Sequence, residues 1–382
     1  MQIGMAHAAC RRTLVSMIFL VGVSPSWAQY NPEISVIPRF LIQSDDGSKL
    51  PTERSFSKPQ LTLDEFEVAI QGYLNPYARA DVFLAKGGDT EEPIELEEVY
   101  ASFVRGLPFD LNVRIGKYLA DYGKLNMQHP HMWPFVTKPL SLQRFLGDEG
   151  LNDLGISASM LLPTGNTYSR LSFDVLSGGA VRALPPDAGA TAGGIGLADT
   201  AGIADAYAYV ARLMAFLPMG ENSDIEIGLS GLSGVHDPYR SDRFVYGNLD
   251  IKYKWKPDLY TSLTVQGEYL VNARRISSGS FSGAPAVSQD ITTSGFYVFA
   301  DYQFSKVYSL GMRVDWSQSP YSADDKAQAL SVFAGFAPVE ESSAFRLHLQ
   351  RTTNDTPAGR TDVHSIALQF LFSLGPHKAH PF

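Results

Sequence analysis

His129 and His131 flank Pro130, in a stretch that also carries Asp148 and Glu149. Alternate residues of an extended segment can point the same way, and imidazole with carboxylate is a common donor set for a divalent transition metal. Two histidines within one loop fall short of a tetrahedral set, however, so the spacing assigns no metal ligand and no cofactor. The adjacent carboxylates Glu97 and Glu98 could in principle serve acid-base work, but no pocket accompanies them. They mark a change of phase instead: Ile94 and Leu96 lie on one parity before them, and Val99, Ala101 and Phe103 on the other after them. That predicts a β-bulge aiming acidic groups at the polar side of a sheet. The run AGATAGGIG within 179–205 has no βαβ frame and no following Lys-Ser/Thr, so it is not a phosphate cradle. With no Gly-x-Ser-x-Gly elbow and no local His/Ser pair, no catalytic residue is assigned and no enzyme is expected.

The elements that must carry these residues have period two. Phe66, Val68 and Ile70 alternate with Glu65, Glu67 and Gln71; Leu249, Ile251, Tyr253 and Trp255 alternate with Asp250, Lys252 and Lys254. Strand-like runs number about sixteen, with fourteen or eighteen as neighbouring solutions: 33–44, 63–75, 77–87, 94–105, 110–122, 154–163, 167–178, 206–217, 224–235, 243–256, 259–273, 291–304, 307–317, 327–338, 342–352 and 362–373. Tight turns such as Asn75-Pro76 and Pro257-Asp258 alternate with longer polar loops at about 45–62, 88–93, 123–153, 179–205, 236–242, 274–290, 318–326 and 353–361. This is the pattern of an all-β, antiparallel, up-and-down transmembrane barrel with short periplasmic turns and long extracellular loops. Backbone groups in hydrocarbon must be satisfied internally, and a closed barrel does this without membrane helices.

On this reading apolar faces meet lipid and polar faces meet a lumen. The inward candidates are Arg39, Arg79, Arg114, Arg170, Arg212, Lys252, Lys254, Arg313 and Arg346 against Glu65, Glu67, Asp81, Glu95, Asp174, Asp250, Glu268, Asp301 and Asp315, nearly balanced in sign. The loop 123–153 is long and aromatic, as a segment folded into a lumen would be. Its constriction candidates are His129, His131, Trp133, Phe135, Asp148 and Glu149.

The N-terminus sets the compartment. Arg11 and Arg12 precede the apolar run 14–23, and Ser26 and Ala28 follow, which fits a signal peptide over 1–28. The barrel is then expected over 29–373, with a short tail over 374–382. The single cysteine, Cys10, departs with the signal. The net charge of -9 argues against nucleic acid as a partner, since a phosphate backbone is met by a basic stripe. Only 19% of residues are charged while 45% are hydrophobic, which suits a membrane surface better than an ordinary cytosolic domain.

Several stretches carry a family resemblance: Asn31-Pro32-Glu33-Ile34-Ser35, Asn75-Pro76-Tyr77-Ala78-Arg79-Ala80-Asp81, Glu97-Glu98-Val99-Tyr100-Ala101, Arg114-Ile115-Gly116-Lys117, and the span from Gly123 to Gly155. In these the chain resembles bacterial outer-membrane porins of the phosphate-selective porin O/P type and related porin-like barrels. Ile366, Leu368, Phe370 and Phe372 resemble the closing strand of such proteins, although this chain runs on to Phe382. The resemblance implies passive diffusion of small hydrophilic solutes or ions across the outer membrane, contact with its lipid, and a homotrimer. It does not carry phosphate selectivity over, because the inward charges nearly cancel. The rival reading is a plug-less, receptor-like or adhesive barrel that binds a ligand or metal without conducting.

Overall fold

The computed structural model describes residues 32–47, 55–87, 93–165, 167–182, 207–237, 242–278, 287–339 and 342–375. The expected signal segment, most of the C-terminal tail and the glycine-rich run near 188–196 lie outside the described residues.

The strands are β1 (Glu33–Asp45), β2 (Gln60–Asn75), β3 (Ala78–Gly87), β4 (Glu95–Phe103), β5 (Asn112–Leu119), β6 (Asn152–Leu162), β7 (Tyr168–Leu176) and β8 (Ala208–Pro218). They continue as β9 (Ser223–Asp237), β10 (Asp242–Trp255), β11 (Ser262–Ser278), β12 (Val287–Gln303), β13 (Tyr308–Ser319), β14 (Ser322–Val339), β15 (Ser343–Thr356) and β16 (Gly359–Phe372). Each pairs with its sequence neighbours, and β1 pairs antiparallel with β16 from Arg39↔Leu371 to Asp45↔Ser365, closing a sixteen-stranded barrel. Closure leaves no sheet edge with unpaired backbone groups.

The faces are inverted relative to a water-soluble sandwich. Along β13, Leu310, Met312 and Val314 are 53%, 50% and 41% exposed, while Arg313 and Asp315, on the other parity, are buried. Along β10, Leu249 and Ile251 face outward and Asp250 inward. An apolar exterior around a polar interior is a membrane-spanning surface. No helix among the described residues is long and apolar enough to cross a membrane, so the strands do the spanning. At the tight-turn end the exterior carries an aromatic girdle. Phe304, Tyr308, Phe336, Phe345 and Phe370 follow one another with ring centroids 5.1 to 6.1 Å apart. Such rings favour the interface between hydrocarbon and water.

The tight turns are closed by side-chain acceptors. Asn75 Oδ1 accepts from the backbone N–H groups of Tyr77 and Ala78, and Asp258 Oδ1 accepts from those of Tyr260 and Thr261. These are the Asx turns expected of Asn-Pro and Pro-Asp sequences. The two backbone donors hold the exposed Asp258 carboxyl below the usual carboxylate range.

Two loops expected to be long are instead tight. β13 and β14 pair up to Ser319↔Ser322, and β15 and β16 up to Thr356↔Gly359. These hairpins run on with both faces polar, as in Lys326↔Asp355, so the apolar alternation that marks a strand in lipid is missing there. β5 is shorter than expected. It ends at Leu119 because the chain leaves the wall at Ala120 and turns inside. The predicted bulge is present: Phe83 pairs with Glu98 and Leu84 with Leu96, so Glu97 is the extra residue.

Candidate functional site

The connection from β5 to β6, residues 120–151, lies inside the barrel. Its neck is closed by Ala120 N–H donating to Leu151 O, 2.9 Å. Asn126 bridges the same two strands of chain, donating from Nδ2 to Ala120 O and accepting at Oδ1 from Leu151 N–H. Gly123 has φ +66° in this neck, and a Cβ there would meet Glu268 Oε2 at 2.2 Å. Glycine is therefore required on two counts, the left-handed backbone and the close approach to the wall.

From the neck the segment reaches wall strands on several sides. Lys124 Nζ pairs with Glu226 of β9 at 2.7 Å. The backbone N–H groups of Lys124 and Leu125 both donate to Glu268 Oε1 of β11, which also accepts from Tyr297 of β12. Farther on, Arg313 of β13 donates to the carbonyl and hydroxyl of Thr137, and Leu140 N–H donates to Asp315 Oδ1. A short helix α1 (Leu140–Leu146) follows and is stopped by Gly147 at φ 74°. Arg144 of α1 pairs with Asp325 at 3.2 Å.

Apolar residues fill the space between these polar anchors. Phe135 packs edge-on against Phe299 and Phe333 and under the Arg313 guanidinium, and Phe145 packs on Tyr246. Trp133 is buried and donates its indole N–H to Gln128 O. Burying Phe135 and Phe145 completely contributes about 1.5–3 kcal/mol each. The apolar core of this protein thus lies inside the barrel, against the inward segment.

The histidines sit where this segment meets β2 and the bulge of β4. His129 Nε2 is 2.8 Å from Glu98 Oε1, and Glu98 Oε2 accepts from Leu119 N–H. His129 Nδ1 faces Glu67 at 3.3 Å and Glu97 at 3.5 Å, and His131 Nδ1 lies 3.3 Å from the same Glu67 oxygen. Burial works against a charge on the His129 imidazole, but Glu97, Glu98 and Glu67 outweigh it and hold the ring well above the usual histidine range. Asp148 and Glu149, the carboxylates that sequence proximity suggests for these histidines, flank Lys138 instead. Lys138 Nζ donates to Gly147 O and Asp148 O. Burial lowers the Lys138 ammonium to about 8, against the pull of Asp148 and Glu149.

Of the inward candidates, Arg39, Glu67, Asp81, Asp174, Arg212 and Arg313 are buried, and Glu65, Arg79, Arg114, Lys252, Lys254 and Arg346 are partly so. Many form pairs rather than a free charged lining. Arg39 meets Asp64 and Glu65, Arg79 meets Asp81, Arg212 meets Asp250 and Asp121, and Arg313 meets Asp315. Asp174 accepts from the Tyr118 hydroxyl, and Arg346 donates to His131 O. Lys124, Glu226 and Asp121 escaped the sequence reading. Lys124 lies in a loop with no periodic signal, and Asp121 falls on the outward parity of the strand expected over 110–122, which ends at Leu119 instead. Glu226 shares the parity of Ser230 on β9 and was open to the same argument as Asp250.

On the tight-turn side of the segment is a cavity of about 720 Å³, lined among others by Glu67, Arg114, Lys124, His129, Arg170 and Glu226. Arg114 reaches it with its guanidinium 4.8 Å over Tyr100 and 5.1 Å over Tyr118, and it makes no ion pair among the described residues.

No protein-family model matches the chain. An uncharacterized protein of Aquifex aeolicus (strain VF5) is 27% identical over 314 residues, which is 77% of this chain. The match spans 64% of the length of that relative. Among solved structures the chain is similar to an anion-selective porin from Comamonas acidovorans, with TM-score 0.57 and 11% identity over 90% of this chain and 99% of that one. It is also similar to the outer membrane channel DcaP of Acinetobacter baumannii, at TM-score 0.56 and 9% identity over 90% and 97% of the two chains. The trimer form of OmpT, an outer membrane protein of Vibrio cholerae, gives TM-score 0.52 and 8% identity over 90% and 99%. At these identities the likeness is one of fold, and together with the apolar exterior it marks this chain as a sixteen-stranded β-barrel of the outer-membrane type.

Proposed function

We propose that the chain is a porin-like channel of the outer membrane, non-catalytic, through which small hydrophilic solutes or ions diffuse past a constriction formed by residues 120–151. The observation that carries the reading is the inward segment itself. It is anchored to β4 on one side of a closed barrel and to β11 and β13 on the other, yet leaves a cavity lined by charges of both signs. Rings of side chains at the narrowest point set selectivity in such a pore. Because Arg39, Arg79, Arg170, Arg212 and Arg313 are each held by a carboxylate, the proposal stops at a general or mildly selective channel and does not extend to phosphate. Lipid is the partner of the exterior. A homotrimer is the assembly we infer, in keeping with the trimer form of the Vibrio cholerae neighbour.

The test is reconstitution in a planar bilayer. Stepwise conductance is expected, and its absence at every salt concentration would refute the channel. In a salt gradient, Arg114→Gln removes an unpaired cation from the cavity wall, so the reversal potential should move toward cation preference. An unchanged potential would show that Arg114 does not face the conduit.

A further inference from the structure

The strongest cluster of potential ligands left over by the channel reading is the one around His129. We propose that His129 Nδ1, Glu67 and Glu97 bind one divalent transition-metal ion of the Zn²⁺ class, which ties the inward segment to β2 and β4 and leaves a fourth position open.

Four features point this way. First, the spacing is that of a coordination shell. Zinc bonds to imidazole and carboxylate of about 2.0–2.2 Å place tetrahedral ligand atoms about 3.4 Å from one another. The edges at His129 Nδ1 are 3.3 Å to Glu67 and 3.5 Å to Glu97. Glu67, Glu97 and His129 each offer a ligand atom within 4.8 Å of the others, and Glu65, Glu67 and His131 form a second such set sharing Glu67.

Second, the central donor is buried and aimed. The His129 side chain is 9% exposed, and its Nδ1 is aimed at Glu67 and Glu97 at ion-pair distance without a hydrogen bond of good geometry. Glu97 Oε2 is likewise buried without a hydrogen-bond partner. A buried polar atom left in this state is costly unless something meets it.

Third, the outer side of the ring is prepared. Metal-binding histidines usually give their other N–H to a carboxylate, which fixes the tautomer and the ring plane. Glu98 fills that place at 2.8 Å from Nε2, and Glu98 is itself held by Leu119 N–H at 2.9 Å. The imidazole also stacks on Phe83, with centroids 4.9 Å apart. Fourth, the bulge at Glu97 brings two successive glutamates to one histidine, so that Glu97 reaches Nδ1 and Glu98 reaches Nε2. An unbulged strand would turn one of the pair to lipid.

Imidazole with carboxylate suits zinc and its neighbours better than calcium or magnesium, which take all-oxygen shells. The proposal does not depend on conduction, since a sealed barrel would hold the same site.

The test uses the full chain without an affinity tag, folded in detergent and stripped with a chelator, with Zn²⁺ as the probe. Isothermal titration should give one equivalent per chain. His129→Ala should weaken binding at least a hundredfold, and Glu97→Gln and Glu67→Gln at least tenfold each. Glu98→Gln, which touches only the outer nitrogen, should cost about 10–100-fold. Each variant is first checked for the heat-dependent gel shift of a folded barrel, and Glu97→Gln, nearly isosteric, serves if His129→Ala fails that check. Zn²⁺ should also slow tryptic cleavage at Lys124 and Arg144, by about a hundredfold at a hundred times the dissociation constant. Binding that is equally strong in folded His129→Ala or Glu97→Gln protein, or that leaves the cleavage rate unchanged, would overturn the proposal.

Discussion

Removing Glu268 should release the inward segment while leaving the wall intact. Its carboxylate is buried and accepts from Lys124 N–H at 3.2 Å, Leu125 N–H at 2.8 Å, the Tyr297 hydroxyl at 2.7 Å and Asn248 Nδ2 at 2.6 Å. In Glu268→Ala the two wall donors can turn to each other or to water, but the two backbone donors of the segment are fixed. A buried donor left without a partner costs about 1–3 kcal/mol. Two such donors, partly relieved by water in the vacated volume, weaken docking by about 2–4 kcal/mol. At 1.36 kcal/mol per factor of ten, the undocked population rises about thirty- to a thousandfold. When opening is fast relative to cleavage, proteolysis tracks that population. The assay is therefore the rate of tryptic cleavage at Lys124 and Arg144 in folded protein, located by mass spectrometry. The barrel should keep its gel shift, because its ladder does not use Glu268's side chain. A cleavage rate within threefold of the unsubstituted protein, in a folded barrel, would refute the view that Glu268 anchors the segment.

Two further outcomes follow from the same geometry. Burial lowers Lys138 to about 8 from 10.5, so between those values the undocked segment binds more protons than the docked one. Docking therefore strengthens with rising pH across that window. Cleavage, normalised to a free peptide substrate, should slow between about pH 7.5 and 9.5, and Lys138→Met should flatten the dependence. On the outside, Leu229 is 60% exposed and pairs with Leu249 near mid-strand, where the surface faces hydrocarbon. Leu229→Arg should cost about 2–4 kcal/mol in urea titrations of folding into vesicles. A cost near zero would move this stretch of β9 out of the bilayer.

The barrel was legible because a wall residue has only two directions. Period two in Tyr308, Leu310, Met312 and Val314 against Arg313 and Asp315 assigns each to lipid or interior, and closure then follows from the need to satisfy every backbone group. The phase change at Glu97 and Glu98 likewise reported its bulge. Legibility failed where that constraint lapses. Above the membrane both faces of the β13–β14 and β15–β16 hairpins are wet, so paired strands read as loops. Inside the barrel, residues 120–151 obey no period, and aromatic content alone suggested that they fold inward. Which wall residues they meet depends on contacts far apart in sequence, such as Lys124 with Glu226 and Arg144 with Asp325. The carboxylates that meet His129 and His131 come from β2 and β4, not from the nearby Asp148 and Glu149.

The near balance of inward charge has a structural cause. A charge taken out of water is tolerated when it is paired and hydrogen-bonded, and packing a segment into a barrel takes many wall charges out of water. Arg313 with Asp315 and Thr137, Arg212 with Asp250 and Asp121, and Lys124 with Glu226 are consequences of that packing. Each cation buried there brings its own anion, so the sum over inward positions tends toward zero whatever the channel prefers. Selectivity must then reside in side chains that reach the remaining cavity without a partner. Arg114, held over two tyrosine rings rather than by a carboxylate, is such a side chain. A ring face attracts a guanidinium but does not cancel its charge, so its field still acts on ions in the cavity.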